Sequence, residues 1–173
     1  MSNDGKIGNY FQGFVVLLSY AMCLLSLLWL FIQFSDSSIV HNILVFNAKA
    51  IGVICTMIGV DAIVRENIVM TGPISIEIVP ECTSLPFLAI FLAGIMAFPT
   101  DIRQKLGGVL LGVIGLSLLN IIRMFCLLLV GMFIPSIFDT AHILVGQSLM
   151  IVATVVMWLF WWKRTLNDEG IQS

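Results

Sequence analysis

The sequence predicts an all-α integral membrane helical bundle of four or five transmembrane segments with a small external β-hairpin cap. Three observations predict it. Of 173 residues, 60% are hydrophobic and only 10% charged, and the mean hydropathy is +1.08, well outside the balance of a soluble globular domain. The apolar residues gather into runs of about 20, the length a helix needs to cross the hydrocarbon of a bilayer. One stretch near the middle alternates apolar and polar residues with the period of a strand. The net charge of -2 and the absence of a basic patch interleaved with aromatics argue against a nucleic-acid partner.

The whole chain, 1–173, reads as a single membrane domain. Residues 11–34 are the first apolar run, too long for an ordinary signal-peptide core and without a small-residue cleavage site, so they read as a retained transmembrane helix. The run at 37–62 is long enough to span, yet His41, Asn42, Asn47 and Lys49 crowd its first half, so a helix over 39–60 suits either an interfacial or a transmembrane position. VRENIVMTGPISIEIVPE follows. Its alternation and its Gly-Pro turn signal predict two strands in an external hairpin over 63–80, outside the hydrocarbon, because lipid cannot host open strand edges. The next span, 82–99, is the shortest, and reaches across only if the helix starts near Cys82 with Pro86 in its first turn. Helices at 107–130 and 143–162 complete the set.

Charge orients these elements. Arg103 and Lys105 in the loop TDIRQKL, and Lys163 and Arg164 after the last helix, read as cytoplasmic under the positive-inside rule. The terminal WLFWWKR reads as an aromatic and basic interfacial anchor. Cys82, the loop carrying Asp139, and His142 then face outside. Asp4 and Lys6 cancel, which leaves the amino-terminal side open between four spans and five.

Few polar residues need a chemical explanation. Of the cysteines at 23, 55, 82 and 126, only Cys82 stands outside an apolar run; the others read as small buried hydrophobes, and their spacing offers neither a zinc cluster nor a redox pair. Arg123 is the lone charge between Lys105 and Asp139, roughly 10 Å along its helix from the predicted outer end. Such a residue costs about 2.5 kcal/mol or more unless it faces a cavity or partner. Asn120 and Ser117 precede it at intervals of three, extending a polar strip along the helix, as either a site wall or a packing contact. His142 opens the last helix. Together, Cys82, Arg123 and His142 offer nucleophilic catalysis: a thiol that needs activation, an imidazole that moves protons, and a permanent cation that steadies a thiolate or an oxyanion. A helix beginning at Cys82 would lower the thiol pKa and Glu81 would oppose that. His41 competes for the role of base. The two histidines and scattered carboxylates show no metal-ligand spacing, and the chemistry needs no cofactor.

Four pieces carry a resemblance: ISIEIVPECTS ending on the cysteine, the basic loop TDIRQKL, LNIIRM with Asn120 and Arg123, and TAHILVG with His142. With NAKAIGVICTMIGV before the cap, the chain over about 40–162 resembles the exosortase and archaeosortase family of membrane-embedded cysteine transpeptidases, in a compact form. The resemblance implies a multi-pass protein of a prokaryotic cytoplasmic membrane, in contact with membrane lipids, whose active site faces outside. It implies protein substrates with a carboxy-terminal motif, a transmembrane helix and a basic cluster, cleaved and transferred to an acceptor nucleophile. By the same resemblance Cys82 is the nucleophile, His142 the general acid/base and Arg123 the transition-state stabiliser. Relatives commonly carry a small residue and then glycine after the cysteine; here Thr83 and Ser84 stand there, and a hydroxyl of either is expected to help shape the oxyanion pocket. A different class, a non-enzymatic small subunit of a transporter or assembly complex, would pair Arg123 with a partner helix or lipid and leave Cys82 incidental.

Overall fold

The computed structural model describes residues 3–72 and 74–171. Four helices in it are long and apolar enough to cross a membrane. The first, α1 (Asn3–Phe34), contains an apolar window that buries none of its residues against the rest of the chain, as a lipid-facing helix does. After Ser37, whose hydroxyl accepts from the Val40 amide at 3.3 Å, α2 (Ser38–Met57) begins. Its buried residues, Val40, Leu44, Asn47, Ala48, Ile51, Gly52 and Cys55, recur at helical spacing and make one inward stripe. His41, Asn42 and Lys49 fall on its exposed side, while buried Asn47 satisfies its amide on the Ile43 carbonyl at 2.8 Å. The polar residues that made 37–62 hard to place therefore do not interrupt a helix of spanning length.

The cap is an antiparallel meander of three strands, β1 (Ala62–Arg65), β2 (Ile68–Thr71) and β3 (Ile74–Glu77), in the order β1-β2-β3. The expected hairpin is its second half, with Thr71 opposite Ile74 across the turn; Pro73 of that turn lies outside the described residues. The first half turns at Glu66, which takes a left-handed φ of 52°. Ile78 is buried, and Ile74 and Ile76 pack against the same core, made with α2 and with Met124 and Leu128.

A 3-10 turn over Pro80–Cys82 leads from the cap to α3 (Leu85–Ala97). The helix does not begin at Cys82. Starting there would set Pro86 against the carbonyl of Cys82 four residues back, with no N–H to bond it; starting at Leu85 leaves Pro86 in the first turn, where no N–H is needed. The resulting 13-residue helix is about 20 Å long, short of the roughly 30 Å core. The long spans are thus α1, α2, α4 (Ile102–Phe133) and the segment Pro135–Asn167 that ends in α6, with α3 packed among them. Between α4 and α6 lie a 3-10 turn (Pro135–Ile137), the single turn α5 (Phe138–Thr140) and a π-helical turn (Ala141–Gly146), and α6 follows over Gln147–Ile171.

A second core joins α3, α4 and α6 through Phe87, Phe91, Ile95, Leu116, Met150 and Trp161. Close approach needs small residues: the Phe91 ring occupies the place a side chain at Gly112 would take. Trp161 is buried, and its indole donates to the Gln104 carbonyl at 2.9 Å, so this residue of the expected aromatic anchor is a strut between helices. That contact sets Arg103 and Arg164 along one groove at one end of the bundle. Arg123 lies about 30 Å further along α4.

Candidate active site

Three elements converge at the other end. The 3-10 turn carries Cys82, with its amide bonded to the Val79 carbonyl at 2.9 Å. The π-helical turn carries His142, and one turn of α4 carries Arg123 and Asn120. A cavity of about 290 Å³ is lined by Cys82, Arg123 and His142, and otherwise mostly by apolar side chains such as Ile51, Met124 and Leu128.

The Cys82 thiol and the His142 Nε2 atom are 3.9 Å apart, across 60 residues of sequence. Phe138, one turn before His142, stacks on its ring at 6.1 Å and 18°, which fixes the plane in which the imidazole presents Nε2. Arg123 is only 4% exposed. Its Nη1 donates to Asn120 Oδ1 at 3.2 Å. Its Nε, like Asn120 Nδ2, is buried with no hydrogen-bond partner among the described residues. Gly146 makes room for it, since a Cβ there would lie 2.9 Å from the Arg123 Nε.

Burial pushes the Cys82 thiol above its ordinary pKa; the Val79 backbone and the Arg123 charge oppose this, and Glu81 adds a smaller upward push. A lowered pKa was expected from a helix starting at Cys82. The displaced helix start removes that cause, and desolvation prevails. Burial therefore favours the neutral thiol.

The other residues singled out in the sequence are placed differently. Thr83 is fully buried, and its hydroxyl donates to the Pro80 carbonyl at 2.7 Å and accepts from the Leu85 amide at 3.2 Å. It fastens the 3-10 turn to α3. Ser84 meets Ser117 of α4 at 3.2 Å between hydroxyls. Both hydroxyls are thus engaged in holding the turn rather than free toward the cavity. Glu81 is exposed. His41 lies with Asp36 and Ser37 in an adjoining groove that shares Glu77, Ile78 and Val79 with the cavity but does not include Cys82. Reading the sequence missed the π-helical turn, and it missed Gly146 and Phe138, for which the four-residue intervals from Phe138 to His142 and from His142 to Gly146 were the available signal.

The description "Transmembrane exosortase (Exosortase_EpsH)" belongs to a family model that matches residues 9–161. The chain belongs to the transmembrane exosortase family. The match takes in α1, which the resemblance over 40–162 left aside, and it reaches Trp161 near the end of the bundle. This exosortase-family chain is a multi-pass membrane protein, with its cap and the first three of its four long apolar spans wholly inside the matched range. Comparison with curated proteins and with solved structures gave no match.

Proposed function

We propose that the protein is a membrane cysteine transpeptidase that cleaves the carboxy-terminal sorting signal of exported proteins on the external face and transfers them to an acceptor. The observation that carries this is the 3.9 Å approach of Cys82 Sγ to His142 Nε2 beside the buried Arg123 guanidinium. Cys82 gives its proton to Nε2 as the sulfur attacks the scissile carbonyl carbon. The π electron pair of the C=O moves onto oxygen, and the guanidinium, whose Nε has no partner among the described residues, answers that charge. His142 then hands the proton to the departing nitrogen as the C–N bond breaks, leaving a thioester on Cys82. An acceptor amine attacks the thioester, loses its proton to Nε2 and regenerates the thiol; water in its place gives hydrolysis.

The grouping of Arg103 and Arg164 at one end of the bundle supports an external site, because basic residues mark the cytoplasmic end. The substrate's transmembrane helix would hold the scissile bond near the cavity, a proximity effect that also filters substrates.

The test pairs the protein with a tail-bearing protein of the same genome and follows the substrate's size. Cys82→Ala is expected to abolish processing, and His142→Ala and Arg123→Ala to reduce it by at least about 100-fold. A hydroxylamine-labile adduct on Cys82, found with the parent and missing from Cys82→Ala, identifies the thioester. Normal processing by all three variants sinks the mechanism.

A further inference from the structure

β3 is an edge strand, and its backbone bonds fix which of its polar groups are used. Antiparallel strands alternate between residues whose N–H and C=O face the partner and residues whose groups face away. The Ile78 amide donates to the Asn67 carbonyl at 2.9 Å, and the Ile78 carbonyl accepts from the Asn67 side chain at 3.0 Å. Ile78 therefore faces β2, as do Ile76 and Ile74 at intervals of two. Ser75 and Glu77, one step out of phase, direct their N–H and C=O groups to the open edge. The same residues, 75–79, line the cavity that holds Cys82. Beyond Glu77 the edge is closed, since the Val79 carbonyl is taken by the Cys82 amide at 2.9 Å.

An unpaired edge is a template for another strand, and natural proteins usually cover or blunt one. Here it runs directly into the turn that carries the thiol. We propose, resting on the reading of Cys82 as the nucleophile, that the peptide segment beside the scissile bond binds as an added strand on β3. It exchanges backbone hydrogen bonds with Ser75 and Glu77, and this lays the scissile carbonyl over Cys82. Main-chain pairing gives affinity, and the alternate side chains that point down enter the apolar cavity beside Met124 and Leu127. The substrate requirement becomes an extended segment with apolar residues at alternate positions and no proline where its N–H groups pair with β3.

The test uses a synthetic peptide copying the motif and transmembrane helix of a tail that the parent protein cleaves in detergent. Single N-methylation along the segment removes one donor at a time without altering any side chain. Cleavage should fall about three- to tenfold at alternate positions and little between them, the effect of one lost hydrogen bond. Ser75→Pro and Glu77→Pro remove edge-facing N–H groups, which an edge strand tolerates; Glu77→Pro also gives up the 3.4 Å bond its carboxylate accepts from Asn67. Each should raise KM for the peptide while a small thiol reagent still labels Cys82 at the parent rate, which certifies the fold. A uniform N-methyl profile, or parent-like KM in both proline variants, overturns strand addition. If the proline variants do not fold, the N-methyl profile on the parent decides alone. Cleavage that survives in Cys82→Ala defeats the underlying reading instead, and the two failures are distinct.

Discussion

Gly146→Ala separates stability from activity at a residue that does no chemistry of its own. A Cβ at this position would lie 2.9 Å from Arg123 Nε and 3.4 Å from the Ala141 carbonyl oxygen. Restoring ordinary contact with the first atom moves the guanidinium by about 0.5 Å, while the second already sits at the edge of normal contact. A displacement of about 1 Å in a reacting group costs on the order of 100-fold in rate, so half of that should lower processing roughly tenfold. The backbone at Gly146 has no positive φ, and alanine gains up to about 1 kcal/mol over glycine in helical structure. The variant should therefore unfold at the parent temperature or above it, yet process tail-bearing substrate more slowly. Both quantities can be read on one preparation in detergent, by thermal unfolding and by substrate size on a gel. Parent-like processing by Gly146→Ala, in a protein that Arg123→Ala inactivates, would refute the claim that the guanidinium must sit where Gly146 lets it.

Labelling of Cys82 by a maleimide, in a chain with Cys23 and Cys126 replaced by alanine, should rise with pH through an inflection above the roughly 8.5 of a free thiol. Burial raises the thiol pKa and Arg123 lowers it, so Arg123→Gln should move the inflection further up and Glu81→Gln should move it down; an inflection below that of a free thiol contradicts the burial argument. Asn120→Asp places a carboxylate where Oδ1 now accepts from Arg123 at 3.2 Å. It should keep the fold and lower processing about tenfold or more by neutralising the cation, and parent-like processing would show that the free charge is not used. Gly112→Ala drives a methyl into the Phe91 ring and should destabilise by about 1–3 kcal/mol, seen as a lower unfolding temperature; an unchanged temperature would mean that α3 and α4 have slack at this crossing.

Elements whose physics is carried by long apolar runs were legible in the sequence, as was Arg123, because a charge in such a run must find a cavity or a partner. Elements decided by local backbone geometry were not. β1 hides because its turn uses Glu66 in the left-handed region, where sequence signals favour glycine or asparagine. The onset of α3 slipped from Cys82 to Leu85 because the constraint set by Pro86 on its fourth preceding carbonyl outweighs the apolar pattern. The π-helical turn at Ala141–Gly146 has no compositional mark, since it differs from an α-helical turn only in which carbonyl each amide meets. Thr83 and Ser84 looked available for the cavity because a hydroxyl's partner is invisible until the chain folds; Thr83 is spent on the local Pro80 carbonyl and Ser84 on Ser117 of α4.

The balance of charge in the cavity gives the proposed mechanism its energetic logic. Burial opposes ionisation of the thiol, and the buried Arg123 cation has a neutral amide oxygen at 3.2 Å and an Nε donor without a partner among the described residues. An under-solvated cation is a standing cost in the free protein. Thiolate formation and then the tetrahedral oxyanion each place negative charge in the same cavity, where low polarity strengthens the attraction. The interaction is weak in the ground state and strong in the states that follow it, which is the difference that lowers a barrier rather than merely tightening binding. The same reasoning explains why Asn120 suits this position better than aspartate: it holds the guanidinium in place while leaving its charge for the reaction.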